Sequence, residues 1–236
     1  FKDKKVLQSN YTPENVPYRE DQINSLAGIL APSLRMERPS NIFLYGKTGT
    51  GKTLAVKHVT NQIAEVAKES KLNLKIIYLN CKLKRVADTE YRLIAQICRE
   101  MGHDIPPTGL PTDEVYKIFV RIIEQEKLLL ILVLDEIDEI VKSTGDKILY
   151  NLTRLNSELK NSELSIVGIS NDLMFIDQVD PRVRSSLSEE ELVFPPYNAI
   201  QLQKIIKQRS DISFDENVVG EGVIEKCAAY AAKEHG

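Results

Sequence analysis

Eight consecutive residues, Gly46-Lys47-Thr48-Gly49-Thr50-Gly51-Lys52-Thr53, have the types and spacing of a phosphate-binding loop. Glycines let the backbone curl until successive N–H groups face phosphate oxygens, and the start of a following helix adds partial positive charge at the same place. In such a loop Lys52 reaches the β- and γ-phosphates and the Thr53 hydroxyl ligates Mg²⁺. An ordinary Gly-rich turn has a similar composition but does not require the flanks found here. Ile42-Phe43-Leu44-Tyr45 reads as a strand before the loop, and Val56, Val59, Ile63 and Val66 recur at helical spacing after it. Strand, glycine loop and helix in that order indicate that the chain binds a nucleoside triphosphate. Gly49, Thr50, Gly51, Lys52 and Thr53 would surround its phosphates.

A second candidate site is Leu132-Val133-Leu134-Asp135-Glu136, an apolar run that ends in two carboxylates. Ligands of parallel α/β sheets bind outside the carboxyl ends of the strands. Asp135 is therefore placed to hold Mg²⁺, directly or through water, and Glu136 to orient and deprotonate an attacking water. Without the upstream loop, the same pair would simply begin a solvated turn. Asn171, at the end of Ile169-Ser170-Asn171, either hydrogen-bonds the γ-phosphate or the attacking water, or starts a turn. Arg182 and Arg184 lie in Asp180-Pro181-Arg182-Val183-Arg184, read as a turn. Either one reaches a neighbouring subunit's γ-phosphate as a finger, or both are surface arginines. The catalytic candidates are thus Lys52, Glu136, Asn171 and Arg182. His58, His103 and His235 show no metal-ligand spacing. A basic cluster at Lys82, Lys84 and Arg85, with Arg92 and Arg99, is offset by Asp88, Glu90 and Glu100 and reads by itself as a solvated face.

These groups need a frame. Leu128 to Leu134 is an unbroken run of seven apolar residues, suited to a strand covered on both faces of a parallel sheet. Further strands are read at Leu74–Leu79, Leu164–Ile169 and Glu191–Phe194, the last stopped by Pro195-Pro196. Helical patterns begin at Glu20, at about Thr89, at Thr112 and at Lys147, while residues 102–112 carry the glycines and prolines of a loop. The alternation predicts an α/β fold, a doubly wound parallel five-stranded sheet over residues 1–195. The helices that follow, Ile200 to Arg209 and a face of Val223, Ile224, Cys227, Ala228 and Ala231, form a small second domain over 196–236.

The net charge of −3 gives no whole-chain pull toward DNA or acidic lipid, so any nucleic-acid contact must come from a local patch. No apolar run approaches the length of a membrane span. Cys81, Cys98 and Cys227 lack C-x-x-C spacing, which argues against a disulfide framework or zinc and for a reducing cytoplasm. No signal peptide is visible, and the start at Phe1 rather than Met reads as a trimmed piece of a longer protein.

With the loop, Asp135-Glu136, Asn171 and a helical segment after Phe194 all in order, the chain resembles an AAA+ ATPase. Finer matches narrow the resemblance: Val16-Pro17-Tyr18-Arg19-Glu20, Leu134-Asp135-Glu136-Ile137-Asp138, and Asp180-Pro181-Arg182-Val183 with Phe194-Pro195-Pro196-Tyr197-Asn198. Together they are similar to the archaeal replication initiators, relatives of the eukaryotic origin recognition and cell-division-control factors. The resemblance implies that Val16, Tyr18 and Arg19 meet the nucleotide base, that Asn171 is the sensor 1 residue, and that Tyr197 and Arg209 contact nucleotide from a helical lid. It implies an initiator-specific insertion at 82–112 gripping origin DNA through Lys82, Lys84 and Arg85, with ATP or ADP and Mg²⁺ as cofactors. It also implies slow ATP hydrolysis, helicase loading and a second initiator subunit as partner. The lid is expected to be cut short, before its sensor 2 arginine, and a C-terminal winged-helix domain to be absent. A nucleotide-gated binding module with negligible turnover and a clamp-loader-like ATPase are the alternatives.

Overall fold

The most apolar stretch of the chain is also its structural centre. In the computed structural model, which describes residues 1–8, 11, 16–82, 89–106, 108–216 and 218–234, every residue of Leu129–Asp135 is buried. This strand, β3, joins β1 (Ile42–Tyr45), β2 (Leu74–Asn80), β4 (Glu163–Ser170) and β5 (Glu190–Val193) in one sheet of order β2-β3-β4-β1-β5. All neighbours are parallel. Alternate β3 side chains feed two cores. Leu130, Leu132 and Leu134 pack on one face with Leu93, Ile97, Phe119 and Leu152, whereas Ile131 and Val133 pack on the other with Leu26, Val56, Val59 and Ile63.

Around the sheet run α1 (Glu20–Leu30), α2 (Lys52–Glu69), α3 (Glu90–Glu100), α4 (Thr112–Glu126), α5 (Asp138–Thr144), α6 (Lys147–Arg154), α7 (Phe175–Gln178) and α8 (Pro181–Leu187). Two helices, α9 (Ala199–Ser213) and α10 (Val223–Glu234), follow the sheet and pack on each other. A capping box starts α9: Asn198 Oδ1 accepts from the Gln201 N–H, and Gln201 Oε1 accepts from the Asn198 N–H, both at 2.9 Å. It satisfies two backbone donors at the start of the helix.

The five strands lie where the apolar runs indicate. Several details differ. Val66, read as part of the buried face of α2, is 43% exposed and Ala67 is buried instead, because after Ile63 the buried stripe steps four residues rather than three. On α10, Val223 is 47% exposed and Cys227 is exposed, leaving Ala228 as the deeply buried residue of that face. The segment read as a turn around Arg182 is helix α8, begun by Pro181 and capped by Asp180, whose carboxylate accepts from the Arg182 N–H at 2.8 Å. Helices α5 and α7 are too short to show a period in the sequence.

Candidate functional site

Sheet register brings the chemistry together. Tyr45 pairs with Ser170, Asp135 with Ile169, and Asn80 with Asp135, so the residues after β1, β3 and β4 share one edge. The chain leaves β1 through Gly46, where a Cβ would stand 2.4 Å from the Phe194 carbonyl oxygen; only glycine fits against that backbone. Gly49 (φ 85°) and Gly51 (φ 91°) take the left-handed conformation that curls the loop. Gly51 is the N-cap of α2 and offers no side chain to the first-turn N–H groups, which are left for an anion.

Lys52 is 3% exposed. Its ammonium donates to the Gly46 carbonyl at 2.7 Å, the Lys47 carbonyl at 2.9 Å and Asn171 Oδ1 at 2.9 Å. Burial lowers its pKa to about 8, against the pull of Asp135, Asp138 and Glu136. Thr53 Oγ1 donates to Asp135 Oδ2 at 2.9 Å. Asn171 Nδ2 donates to Glu136 Oε1 at 3.5 Å, so the amide links the lysine to the second carboxylate. Glu136 sits at φ 56°, a left-handed turn that costs a residue with a Cβ about 1–2 kcal/mol. Its Oε2 is buried with no partner among the described residues, an acceptor waiting for a donor such as water. Burial pushes the Glu136 carboxyl up, with Asp135 and Asp138 adding to the effect and Lys82 opposing it.

Two abutting cavities open here. One, of about 360 Å³, is lined by the loop, Lys52, Thr53, Asp135, Glu136 and Asn171. The other, of about 340 Å³, is largely apolar, with Val16, Leu54, Tyr197 and the α9 residues Leu202, Ile205 and Ile206 in its wall. Arg209 and Tyr11 line both, and the guanidinium stands 5.8 Å from the Tyr11 ring centre. A polar cavity over a helix N-terminus and an apolar one beside it suit the phosphates and the base of one nucleotide. The ligand set offered to a cation is Thr53 Oγ1 and the Asp135 carboxylate. Such hard oxygens fit Mg²⁺, which takes its remaining ligands from phosphate and water. Among the described residues no three His, Cys, Asp or Glu side chains cluster as a metal site.

The other candidates are placed less simply. Arg19 is 3% exposed and lies outside both cavities. Its Nε donates to the Thr50 carbonyl at 2.8 Å, its Nη2 donates to the Pro195 carbonyl, and its guanidinium stacks 3.9 Å from the Tyr197 ring centre. It thus ties the glycine loop to the linker before α9. Tyr18 also lines neither cavity, and its ring faces Lys204 at 5.8 Å. The left-handed backbone at Tyr18 (φ 61°) turns it away while Val16 points inward. Arg182 and Arg184 remain outside the chain's own cavity, paired with Asp180 at 2.9 Å and Asp177 at 2.7 Å. Lys82 is an exposed side chain 3.9 Å from Glu136 Oε1. Lys84, Arg85 and His235 lie outside the described residues. Sequence reasoning missed Tyr11, Leu54, Lys57 and the apolar stripe of α9; the helical spacing of Leu202, Ile205 and Ile206, leading to the expected Arg209, was the available signal.

Comparison with known proteins agrees with this geometry. The AAA domain family matches residues 35–172, and the Cdc6 AAA+ ATPase-type lid domain matches residues 203–236. ORC1-type DNA replication proteins of Pyrococcus abyssi and Archaeoglobus fulgidus are each 51% identical over all of this chain, which covers 57% of their length. The Aeropyrum pernix ORC1 protein, solved in complex with DNA, is 43% identical with a TM-score of 0.89 over 98% of this chain and 59% of that one. The chain spans little more than half the length of these relatives. It belongs to the AAA+ ATPase family, among the archaeal ORC1/Cdc6-type DNA replication proteins.

Proposed function

We propose that this chain is the nucleotide-binding part of an ATP-dependent replication initiator. The observation that carries the reading is the chain of contacts from Lys52 through Asn171 to Glu136, on the wall of a cavity that the helix N-terminus opens into. ATP or ADP sits with its phosphates on the loop and Lys52, and its base against Val16, Leu54 and the α9 stripe. Thr53 and Asp135 hold Mg²⁺, which when bound neutralises phosphate charge during phosphoryl transfer. Glu136 takes the proton of the attacking water, and Asn171 keeps Lys52 and Glu136 in register with the γ-phosphate. Turnover is slow, because the half-buried Glu136 carboxylate must turn from the Lys82 ammonium, 3.9 Å away, toward the attacking water. In the full-length protein, origin DNA is engaged partly through the segment containing Lys82, Lys84 and Arg85, and helicase loading follows the nucleotide state. The buried thiols Cys81 and Cys98 suit a reducing, intracellular setting.

The test is Glu136→Gln, with nucleotide binding and phosphate release measured side by side. ATP affinity should hold within about two-fold while hydrolysis drops at least ~100-fold, the range of general base catalysis. Unchanged hydrolysis would remove Glu136 from its role. A second reading has one observation in its favour: Arg182 and Arg184 are both engaged by carboxylates of their own chain. If neither is available as a finger, the domain works as a nucleotide-gated binding module. ADP retained through purification with no turnover, even with DNA present, would support that reading.

A further inference from the structure

Tyr78 belongs to none of the motifs above. It lies on β2, two positions before the strand ends at Asn80, and pairs in register with Val133. Parallel neighbours in register share a sheet face, so Tyr78, Val133 and Asp135 all point toward the side covered by α2. There the Tyr78 hydroxyl donates to Asp135 Oδ2, the same oxygen that accepts from Thr53 Oγ1. The ring is held from the other side by Lys57, whose ammonium stands 4.6 Å from its centre. Lys57 is itself on α2 and lines the phosphate cavity. One carboxylate oxygen therefore carries two O–H donors. One comes from the end of the glycine loop; the other comes from a strand whose residues line neither cavity.

We infer that Tyr78 is a positioning residue for the cation, fixing the Asp135 carboxylate so that nucleotide is held more tightly when Mg²⁺ accompanies it. The inference rests on the nucleotide reading of the cavity and adds a residue to it. A carboxylate bonded only to Thr53 keeps rotational freedom about its side chain, and that freedom is lost each time a cation is captured. A second donor from a rigid strand removes it beforehand. Deleting hydrogen-bond partners one shell out from a metal typically lowers metal affinity about 10–100-fold. Because the Thr53 donor remains, the lower end, about ten-fold, is expected here.

The experiment uses Tyr78→Phe, which keeps the ring under Lys57 and removes only the hydroxyl; a melting curve of the nucleotide-free variant checks the fold. Affinity for a fluorescent ADP is measured in excess EDTA and in saturating Mg²⁺, for wild type and variant. The expected result is an unchanged affinity in EDTA and a gain from Mg²⁺ that is about ten-fold smaller in the variant. An equal gain in both proteins overturns the proposal, as do parallel losses in EDTA and Mg²⁺, which would make Tyr78 a packing residue. Wild type that binds no nucleotide under either condition removes the nucleotide reading itself, and the proposal with it. A cycle with Asp135→Asn provides the second readout: the Mg²⁺-dependent losses should be non-additive, and additive losses overturn the assignment.

Discussion

Arg19→Lys tests whether a buried cation couples the glycine loop to the lid. In wild type the Arg19 guanidinium serves two carbonyls, Thr50 and Pro195, while its plane lies on the Tyr197 ring at 3.9 Å. Burial lowers its pKa, so the charge is held at a cost that these contacts offset. Lysine keeps that charge and cost but lacks the planar fork: a single ammonium cannot face both carbonyls and stack. One charge-assisted hydrogen bond is worth about 1.5–3 kcal/mol and a desolvated cation–π contact about 2 kcal/mol. Taking the low end of the bond and part of the stack, the substitution should destabilise by roughly 3 kcal/mol. Urea unfolding reads the loss, and ADP titration reads whether nucleotide affinity falls with it, since Thr50 and Tyr197 flank the two cavities. A loss under about 0.5 kcal/mol with unchanged ADP affinity would refute the coupling, because surface substitutions have effects of that size.

Two further outcomes follow from the packing and the charges. Gly46→Ala places a methyl group 2.4 Å from the Phe194 carbonyl oxygen, whose strand is held to Tyr45 by a 2.9 Å backbone bond, so the clash cannot be relieved by a side chain. The expected cost is at or above the roughly 1–3 kcal/mol of core overpacking, with ADP binding lost in the same step; a variant as stable as wild type on thermal unfolding would contradict the close approach. Asp138 is buried, which alone would raise its pKa, but Lys142 at 2.8 Å and Ser170 at 2.9 Å hold it below the ordinary carboxylate range. A depressed folded-state pKa stabilises above the unfolded value of about 3.9, and the effect is lost as pH falls through the lower folded value. Asp138→Asn should therefore cost about 1–3 kcal/mol at neutral pH, with the gap closing in acid; urea unfolding across that range checks it, and a pH-independent gap would count against the pairing.

Much of the frame was legible because its signals are local or periodic. The seven-residue apolar run suited a doubly covered strand, and the structure buries every residue of β3. The glycine loop announced itself because each position answers a backbone requirement, such as the left-handed turns at Gly49 and Gly51. Short helices were not legible. Helix α8 spans seven residues and is set by its Asp180 cap and by burial of Val183 and Leu187, so Arg182 and Arg184 looked like turn residues. Face assignments slipped at helix ends: Val66 lies three residues after Ile63, a permitted helical spacing, but Ala67, four residues after it, takes the buried position.

The sequence by itself determined which groups could bind phosphate and a cation, because loop glycines, Lys52, Thr53 and the carboxylates at the end of an apolar strand have fixed chemistry at short spacing. Only the tertiary structure decided which of them meet and which distant residues join them. Tyr78 reaches Asp135 through sheet register, 57 positions away in the chain. Arg19 bridges Thr50 and Pro195 across 31 and 176 positions, and α9 supplies the wall of an apolar cavity that also takes in Val16. Hydrogen bonds and van der Waals contacts act over a few ångströms of space and take no account of separation along the chain. The loop names the ligand's chemistry; the packing around it sets how the loop, the strands and the lid answer one another.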